Sequence, residues 1–135
     1  MELSVIILSY NVRPYVWQCI DSVLAATEGS AAEVILVDNA SNDGTIELIR
    51  EDFPQVILMS NQENIGFAKA YNQAVKKAQG KYLCILNPDT VVGEEVFKSL
   101  LNEVKDKTNL GAVGTQFIDG RGSFLPECKR VLPRP

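Results

Sequence analysis

Histidine is absent from the 135-residue chain, which removes imidazole metal ligands, Ser-His-Asp triads and histidine general bases together. Cysteine is scarce. Cys19, Cys84 and Cys128 are widely spaced and contain no C-x-x-C pair, a pattern of reduced thiols rather than of a disulfide framework or a zinc site. Cys84 lies inside an apolar run and reads as a small core hydrophobe. No apolar run approaches the roughly 20 residues of a membrane helix, and Met1-Glu2-Leu3 does not begin a signal peptide. The expected location is cytoplasmic, either free or peripheral at the inner face of a membrane. Long basic stretches are missing too: 17 acidic against 13 basic residues give a net charge of −4, so nucleic acid is not an expected partner. Both glycine-rich phosphate signatures are lacking, G-x-G-x-x-G after the first apolar run and G-x-x-x-x-G-K-[ST] anywhere.

The apolar fraction of 46% argues against disorder, and the length suits one domain with a real core. The chain is organised around Val34-Ile35-Leu36-Val37, a run that reads as a strand buried on both faces and stops at Asp38. Asn39, Ser41, Asn42, Asp43 and Gly44 then supply turn chemistry. Leu3 to Leu8, Val56 to Met59 and Tyr82 to Leu86 read as further strands, the first and last of them buried. Pro14 suits a first helical turn, and Val16, Ile20, Val23, Leu24 and Thr27 follow as one helical stripe. Thr45 to Glu51 predicts a short helix burying Ile46 and Ile49. Phe67 to Gln79 predicts another, with Ala70, Ala74, Val75 and Ala78 on one side and Gly80 as a left-handed cap. A last helix carries Val96, Phe97, Leu100, Leu101 and Val104; Gly111 to Ile118 predicts a fifth strand, and Asp119-Gly120 a turn into a short return strand near Ser123 to Leu125. Alternation of strands and helices implies right-handed βαβ units and a mainly parallel sheet.

This order puts Ser9 and Tyr10, Asp38 and Asn39, and Asn87 to Asp89 just past strand ends on one rim, where open α/β sheets bind ligands. A single aspartate at a strand end is ordinarily a helix cap. Three such ends rich in Asp, Asn and Ser add weight to a ligand site. Without a glycine-rich nest, a phosphorylated ligand would need a divalent cation, and Asp89 is the natural anchor for Mg²⁺ or Mn²⁺. Asp38 suits a nucleobase, since a carboxylate accepts from imino or exocyclic N–H groups. Tyr10 reads equally as a stacking or as a packing residue.

Val5-Ile6-Ile7-Leu8-Ser9-Tyr10-Asn11, Val37-Asp38-Asn39-Ala40-Ser41-Asn42-Asp43-Gly44, Asn64-Ile65-Gly66-Phe67-Ala68 with Asn72, and Leu86-Asn87-Pro88-Asp89 occur in that order. Together they resemble the nucleotide-sugar half of an inverting family-two glycosyltransferase, most closely the rhamnosyltransferase-like branch, over residues 3 to 118. The resemblance implies a GT-A fold, that is a Rossmann-like, mainly parallel sheet flanked by helices, and a nucleoside-diphosphate sugar donor, UDP- or dTDP-linked. It implies that Ser9 and Tyr10 contact the base, that Asp38 bonds it, that Asn64 and Gly66 line base and ribose, and that Asp89 is the metal ligand of a D-x-D-like element. It also implies a glycan or lipid-linked acceptor.

This chain departs from the pattern at Asn87, which stands at the first acidic position of that element; its amide can bond a ribose hydroxyl but brings no charge. The second departure is the general base that deprotonates the acceptor. After Asp89 the acidic residues are Glu94, Glu95, Glu103, Asp106, Asp119 and Glu127; the first four belong to an amphipathic helix or its end and Asp119 to a turn, so none is assigned. The expectation is a truncated GT-A domain: residues 1–125 form the donor half, 126–135 an irregular tail leading to a missing acceptor half, and the base lies beyond Pro135. An isolated donor half would expose apolar surface and so could self-associate as a homo-oligomer. Two other enzyme or signalling classes share a similar sheet. A sugar-phosphate nucleotidyltransferase expects a glycine-rich loop with a basic residue after the first strand, and a phospho-receiver expects paired acids there; Ser9-Tyr10-Asn11 supplies neither. A non-catalytic binding or assembly module remains the alternative in which the rim merely caps helices.

Overall fold

The computed structural model describes residues 1–125, and the predicted tail at 126–135, with Glu127 and Cys128, lies outside the described residues. It divides into two compact units, 1–102 and 103–135. The first holds four strands, β1 (Leu3–Ser9), β2 (Ala32–Asp38), β3 (Ile57–Ser60) and β4 (Tyr82–Leu86), alternating with helices α1 (Arg13–Thr27), α2 (Thr45–Asp52) and α3 (Phe67–Val75). Helix α4 (Val96–Val104) follows β4. All strand pairs are parallel and the order is β3-β2-β1-β4, so the chain reverses its direction of sheet growth between β1 and β4.

Period-two alternation explains how β1 and β2 are buried twice over. Val5, Ile7, Val34 and Leu36 pack with Val16, Cys19, Ile20 and Val23 of α1, Ile49 of α2 and Phe97 of α4. Ile6, Ile35 and Val37 point the other way, onto Ala70, Tyr71 and Ala74 of α3. Pro14 sits in the first turn of α1 as the sequence requires, and Thr27 returns its hydroxyl to the Val23 carbonyl at 2.8 Å. In α2 it is Ile49 and Thr45 that are fully buried, with Ile46 only half covered.

Three sequence expectations are corrected. β4 is an edge strand, not a buried one: α3 lies across β1 and β2, and Leu83 and Ile85 on that face are 45% and 50% exposed. Helix α3 stops at Val75, which is itself exposed, instead of reaching Gln79. The cause is a buried carboxylate. Glu33 accepts from the Ser4 hydroxyl at 2.5 Å and from the Gln79 amide at 2.6 Å, and Ser4 Oγ accepts from the Gly80 amide at 2.8 Å, so these two amides leave the helix ladder for the sheet. Gly80 is accordingly no left-handed cap; it is glycine because a Cβ would come within 2.4 Å of the Ser4 backbone nitrogen.

The third correction falls in the second unit. Neither the strand expected at 111–118 nor its return near 123–125 forms beyond one antiparallel bridge, Ile118 with Phe124. Asp119 does close the turn between them, accepting from the Arg121 and Ser123 amides at 2.8 Å each. A two-stranded ribbon is marginal without a third strand or a helix beneath it, and the amides of 111–117 meet no partner strand among the described residues.

Candidate functional site

Every rim residue singled out in the sequence lies at the carboxyl edge of the sheet, and the register shows how closely some stand. Ser9 ends β1 directly beside Asp38 at the end of β2, and Asp38 in turn pairs with Ser60 of β3. Asp38 is fully buried, and its Oδ1 accepts from the Ser41 amide at 2.8 Å, the turn-capping role expected of an aspartate at a strand end. Its Oδ2 and the Ser9 hydroxyl are also buried but have no hydrogen-bond partner. Two orphaned polar atoms on paired residues are costly in a finished core and are what a polar ligand would satisfy.

Asn39, 2% exposed, is occupied differently. Its amide donates to Asn64 Oδ1 at 2.9 Å and its oxygen accepts from Asn61 Nδ2 at 2.9 Å, with the Ile65 amide at 3.4 Å. Asn64 passes the link on by accepting from the Gly66 amide at 3.0 Å. So Asn39 ties the end of β2 to the 61–66 loop and presents no free group of its own, while Asn64 and Gly66 stand exposed at the start of α3. Gly66 has φ +82°, a backbone shape that suits glycine. Tyr10 is about half exposed, at 49%.

A second knot joins the turns after β1 and β2. The Asn11 amide donates to Ser41 Oγ at 2.9 Å, and Asn11 Oδ1 accepts from the Asn42 amide at 2.9 Å; Asn11 adopts the left-handed conformation, φ +53°, to do both. Asp43 accepts from the Arg13 amide at 2.9 Å and from the Thr45 hydroxyl at 2.6 Å. Slight burial pushes its carboxyl upward, but the Thr45 hydroxyl and the Arg13 and Thr45 amides outweigh that and hold it below the usual carboxylate range. The sequence marked this stretch as turn chemistry without showing that one carboxylate orders the starts of two helices.

Asn87, Pro88, Asp89 and Thr90 make a turn closed by the Thr90 amide on the Asn87 carbonyl at 3.3 Å, with proline at its second position. Asn87 and Asp89 are exposed, and the Asp89 carboxylate has no hydrogen bond or ion pair among the described residues. Asp38 and Asp89 therefore share the rim with β1 between them, but one is enclosed and the other open. Nowhere among the described residues do three His, Cys, Asp or Glu side chains converge. One carboxylate and one amide oxygen fit a hard cation only where a diphosphate and water complete its shell. The acids further along are otherwise engaged: Glu95 pairs with Lys98 at 3.0 Å, Glu103 with Lys107, and Asp119 with its own turn.

An open parallel sheet in the order 3-2-1-4, with a polar carboxyl rim and the crossover reversing between β1 and β4, defines a Rossmann-like α/β domain of the GT-A type. The model of glycosyl transferase family 2 matches residues 4–128, and the chain belongs to that family. It is 34% identical over 142 residues to the uncharacterized glycosyltransferase EpsJ of Bacillus subtilis (strain 168), covering 98% of this chain and 40% of that protein. It is 32% identical over 127 residues to the minor teichoic acid biosynthesis protein GgaB of the same organism, covering 89% of this chain and 14% of GgaB. Among solved structures, S. aureus TarS 1-349 in complex with UDP superposes with a TM-score of 0.72 at 22% identity, over 87% of this chain and 39% of that one. The mannosyltransferase PcManGT from Pyrobaculum calidifontis, in complex with GDP-Man and Mn2+, superposes with a TM-score of 0.71 at 27% identity, over 84% and 34%. The chain thus spans less than half the length of each of these proteins. No helix among the described residues is long and apolar enough to cross a membrane.

Proposed function

We propose that this chain is the donor-binding part of a glycosyltransferase that takes a nucleoside-diphosphate sugar and transfers the sugar with inversion to a glycan or lipid-linked acceptor. The observation that carries the reading is two buried, unpartnered polar atoms, Asp38 Oδ2 and Ser9 Oγ, on residues paired at the carboxyl rim of a family 2 domain. An imino N–H of uracil or thymine would give Asp38 its missing donor. The exposed Tyr10 ring would stack on that base, and the exposed Asn64 and Gly66 would border the base and ribose. Asn39 contributes from behind, by holding Asn64 in place. Because Asp38 is enclosed, the reading requires the side chains over the rim to part on binding.

At the other end of the ligand, Asp89 would hold Mn²⁺ or Mg²⁺ together with the diphosphate, and Asn87 a ribose hydroxyl. A bound cation of this kind supplies charge stabilisation for the departing diphosphate. The exposed, unpaired state of Asp89 supports this, as does the Pyrobaculum mannosyltransferase, whose structure is a complex with GDP-Man and Mn2+. The UDP-bound TarS structure and the teichoic acid relative favour a uridine or thymidine donor used in cell-surface polymer synthesis.

Calorimetric titration with UDP, dTDP and GDP, each with and without Mn²⁺, tests the reading. Binding of one of them is expected, tighter with the cation; Asp89→Ala is expected to remove most of the cation's contribution and Asp38→Ala nearly all binding. Absence of heat with every nucleotide under both conditions would favour a module whose rim only caps helices.

A further inference from the structure

β4 is an edge strand, so its last carbonyls have no neighbouring strand beyond them, yet the turn that begins there must hold Asn87 and Asp89 still. Two side chains from opposite faces of the sheet do this. From α3, the buried Tyr71 donates its hydroxyl to the Leu86 carbonyl at 2.9 Å. The β1–β4 ladder ends at the pair Ile7–Leu86, so the phenol stands where these two strands separate, which is also where the strand order reverses. From α1, the fully buried Cys19 donates its thiol to the Asn87 carbonyl at 3.6 Å, the same carbonyl that accepts from the Thr90 amide. One helical turn on, Ser22 Oγ accepts from the Val92 amide at 3.0 Å. The Asn87–Thr90 turn is thus clamped from α1 and its entry from α3.

We propose that Tyr71 and Cys19 are positioning residues for the diphosphate end of the donor, fixing Asn87 and Asp89 at the mouth of the β1–β4 split without touching the ligand. The inference rests on the nucleotide-sugar reading above. Both groups are suited to a permanent donor role, because burial pushes the Cys19 thiol and the Tyr71 phenol each up to about 12, leaving both protonated at any physiological pH. Phenylalanine keeps the Tyr71 ring and removes only its bond to the turn; alanine at position 19 also takes a buried sulfur out of the core, which serine, close in size and still a donor, controls for.

The test compares Tyr71→Phe, Cys19→Ala and Cys19→Ser with the unmodified 135-residue chain. Each is titrated with whichever of UDP, dTDP and GDP the unmodified chain binds best, in Mn²⁺, and separately with the corresponding nucleoside, which lacks the diphosphate. The expected result is diphosphate binding weakened about tenfold in Tyr71→Phe and Cys19→Ala, the size of one lost hydrogen bond. Nucleoside binding, which keeps only the Asn87–ribose contact of this turn, is expected to fall clearly less than diphosphate binding, and serine, which keeps a donor, to restore most of the loss at position 19. Hydrogen exchange of the Thr90 amide in the free protein should quicken in both weakened variants. Should Tyr71→Phe fail to fold, Cys19→Ala acts on the same turn from the opposite face and decides the matter. Unchanged diphosphate affinity, or an equal fall for diphosphate and nucleoside, overturns the positioning role while leaving the donor-site reading intact. A failure of the unmodified chain to bind any nucleotide overturns both.

Discussion

Asn39 and Asp43 sit four residues apart in the same turn and do opposite kinds of work. Asn39 is enclosed and uses both ends of its amide, so Asn39→Ala leaves Asn61 Nδ2 without its partner and Asn64 Oδ1 with the Gly66 amide alone. A cost of about 2 kcal/mol is expected in urea unfolding, typical of stranded buried polar groups. Asn39→Asp should cost at least as much, because it sets an acceptor against Asn64 Oδ1, and both variants should weaken nucleotide binding through the displaced 61–66 loop. Asp43 acts through charge. Its carboxyl is held below the ordinary value by the Thr45 hydroxyl and the Arg13 and Thr45 amides, so its folded value lies under its unfolded one. Its stabilising contribution is therefore complete above the unfolded carboxylate value of about 3.9 and is lost as pH falls through the lower folded value. Asp43→Ala is expected to cost about 1–2 kcal/mol at neutral pH, the size of a lost helix cap, and the gap in Tm between variant and parent should close as the solution is acidified below pH 4. A gap that stays constant down to the lowest pH at which the parent folds would show that the charge on Asp43 contributes nothing.

At the scale of elements, two glycines separate backbone shape from crowding. Gly44 precedes α2 with φ +82° and has room for a methyl group 3.5 Å from the Arg13 guanidinium, so Gly44→Ala is expected to cost about 1–2 kcal/mol from the left-handed backbone alone. Gly80 has an ordinary φ but no room, and Gly80→Ala should cost about 3 kcal/mol or more, since the sheet must move off Ser4 to admit it. Thermal unfolding of the two variants in parallel checks the order; a smaller loss at position 80 would mean that the β1–α3 junction yields easily. The same contrast marks how far the sequence could be read. Strands β1 and β2 were legible because runs such as Val34 to Val37 have one physical home, between two layers, and α1 because its stripe holds for four turns. The end of α3 was not legible, because what stops it is Glu33, more than forty residues earlier in the chain and drawn inward by Ser4 and Gln79. The exposure of β4 and the failure of 111–118 to pair depend on which strands lie alongside, which local pattern does not encode. At the rim, Asp38 and Asp89 were found by type and position. That one is enclosed and the other open, and that Tyr71 and Cys19 reach the 86–90 segment, follow only from contacts between distant residues.

For the molecule as a whole, donor binding and sugar transfer make separate demands on the chain. On the proposed reading, binding would use the β1, β2 and β4 ends, and the 1–102 unit carries all of them. Inverting transfer needs in addition a base that can take the acceptor proton as the oxygen attacks the anomeric carbon. Among the described acids after Asp89, Glu95 and Glu103 are spent on lysines along α4 and its end and Asp119 on its turn; Glu94 and Asp106 lie on solvent. The expected behaviour of the purified 135-residue chain is accordingly a nucleotide-dependent rise in Tm without turnover. At a ligand concentration about 100 times Kd the stabilisation should approach about 2.7 kcal/mol by mass action. Incubation with a UDP- or dTDP-sugar, a glycan or lipid-linked acceptor and Mn²⁺ should release nucleoside diphosphate no faster than the protein-free control. Binding with transfer would mean that one of the described acids, Glu94 or Asp106 first, serves as the base; the matching alanine variant would then abolish turnover while leaving the rise in Tm unchanged, which keeps the two demands experimentally apart.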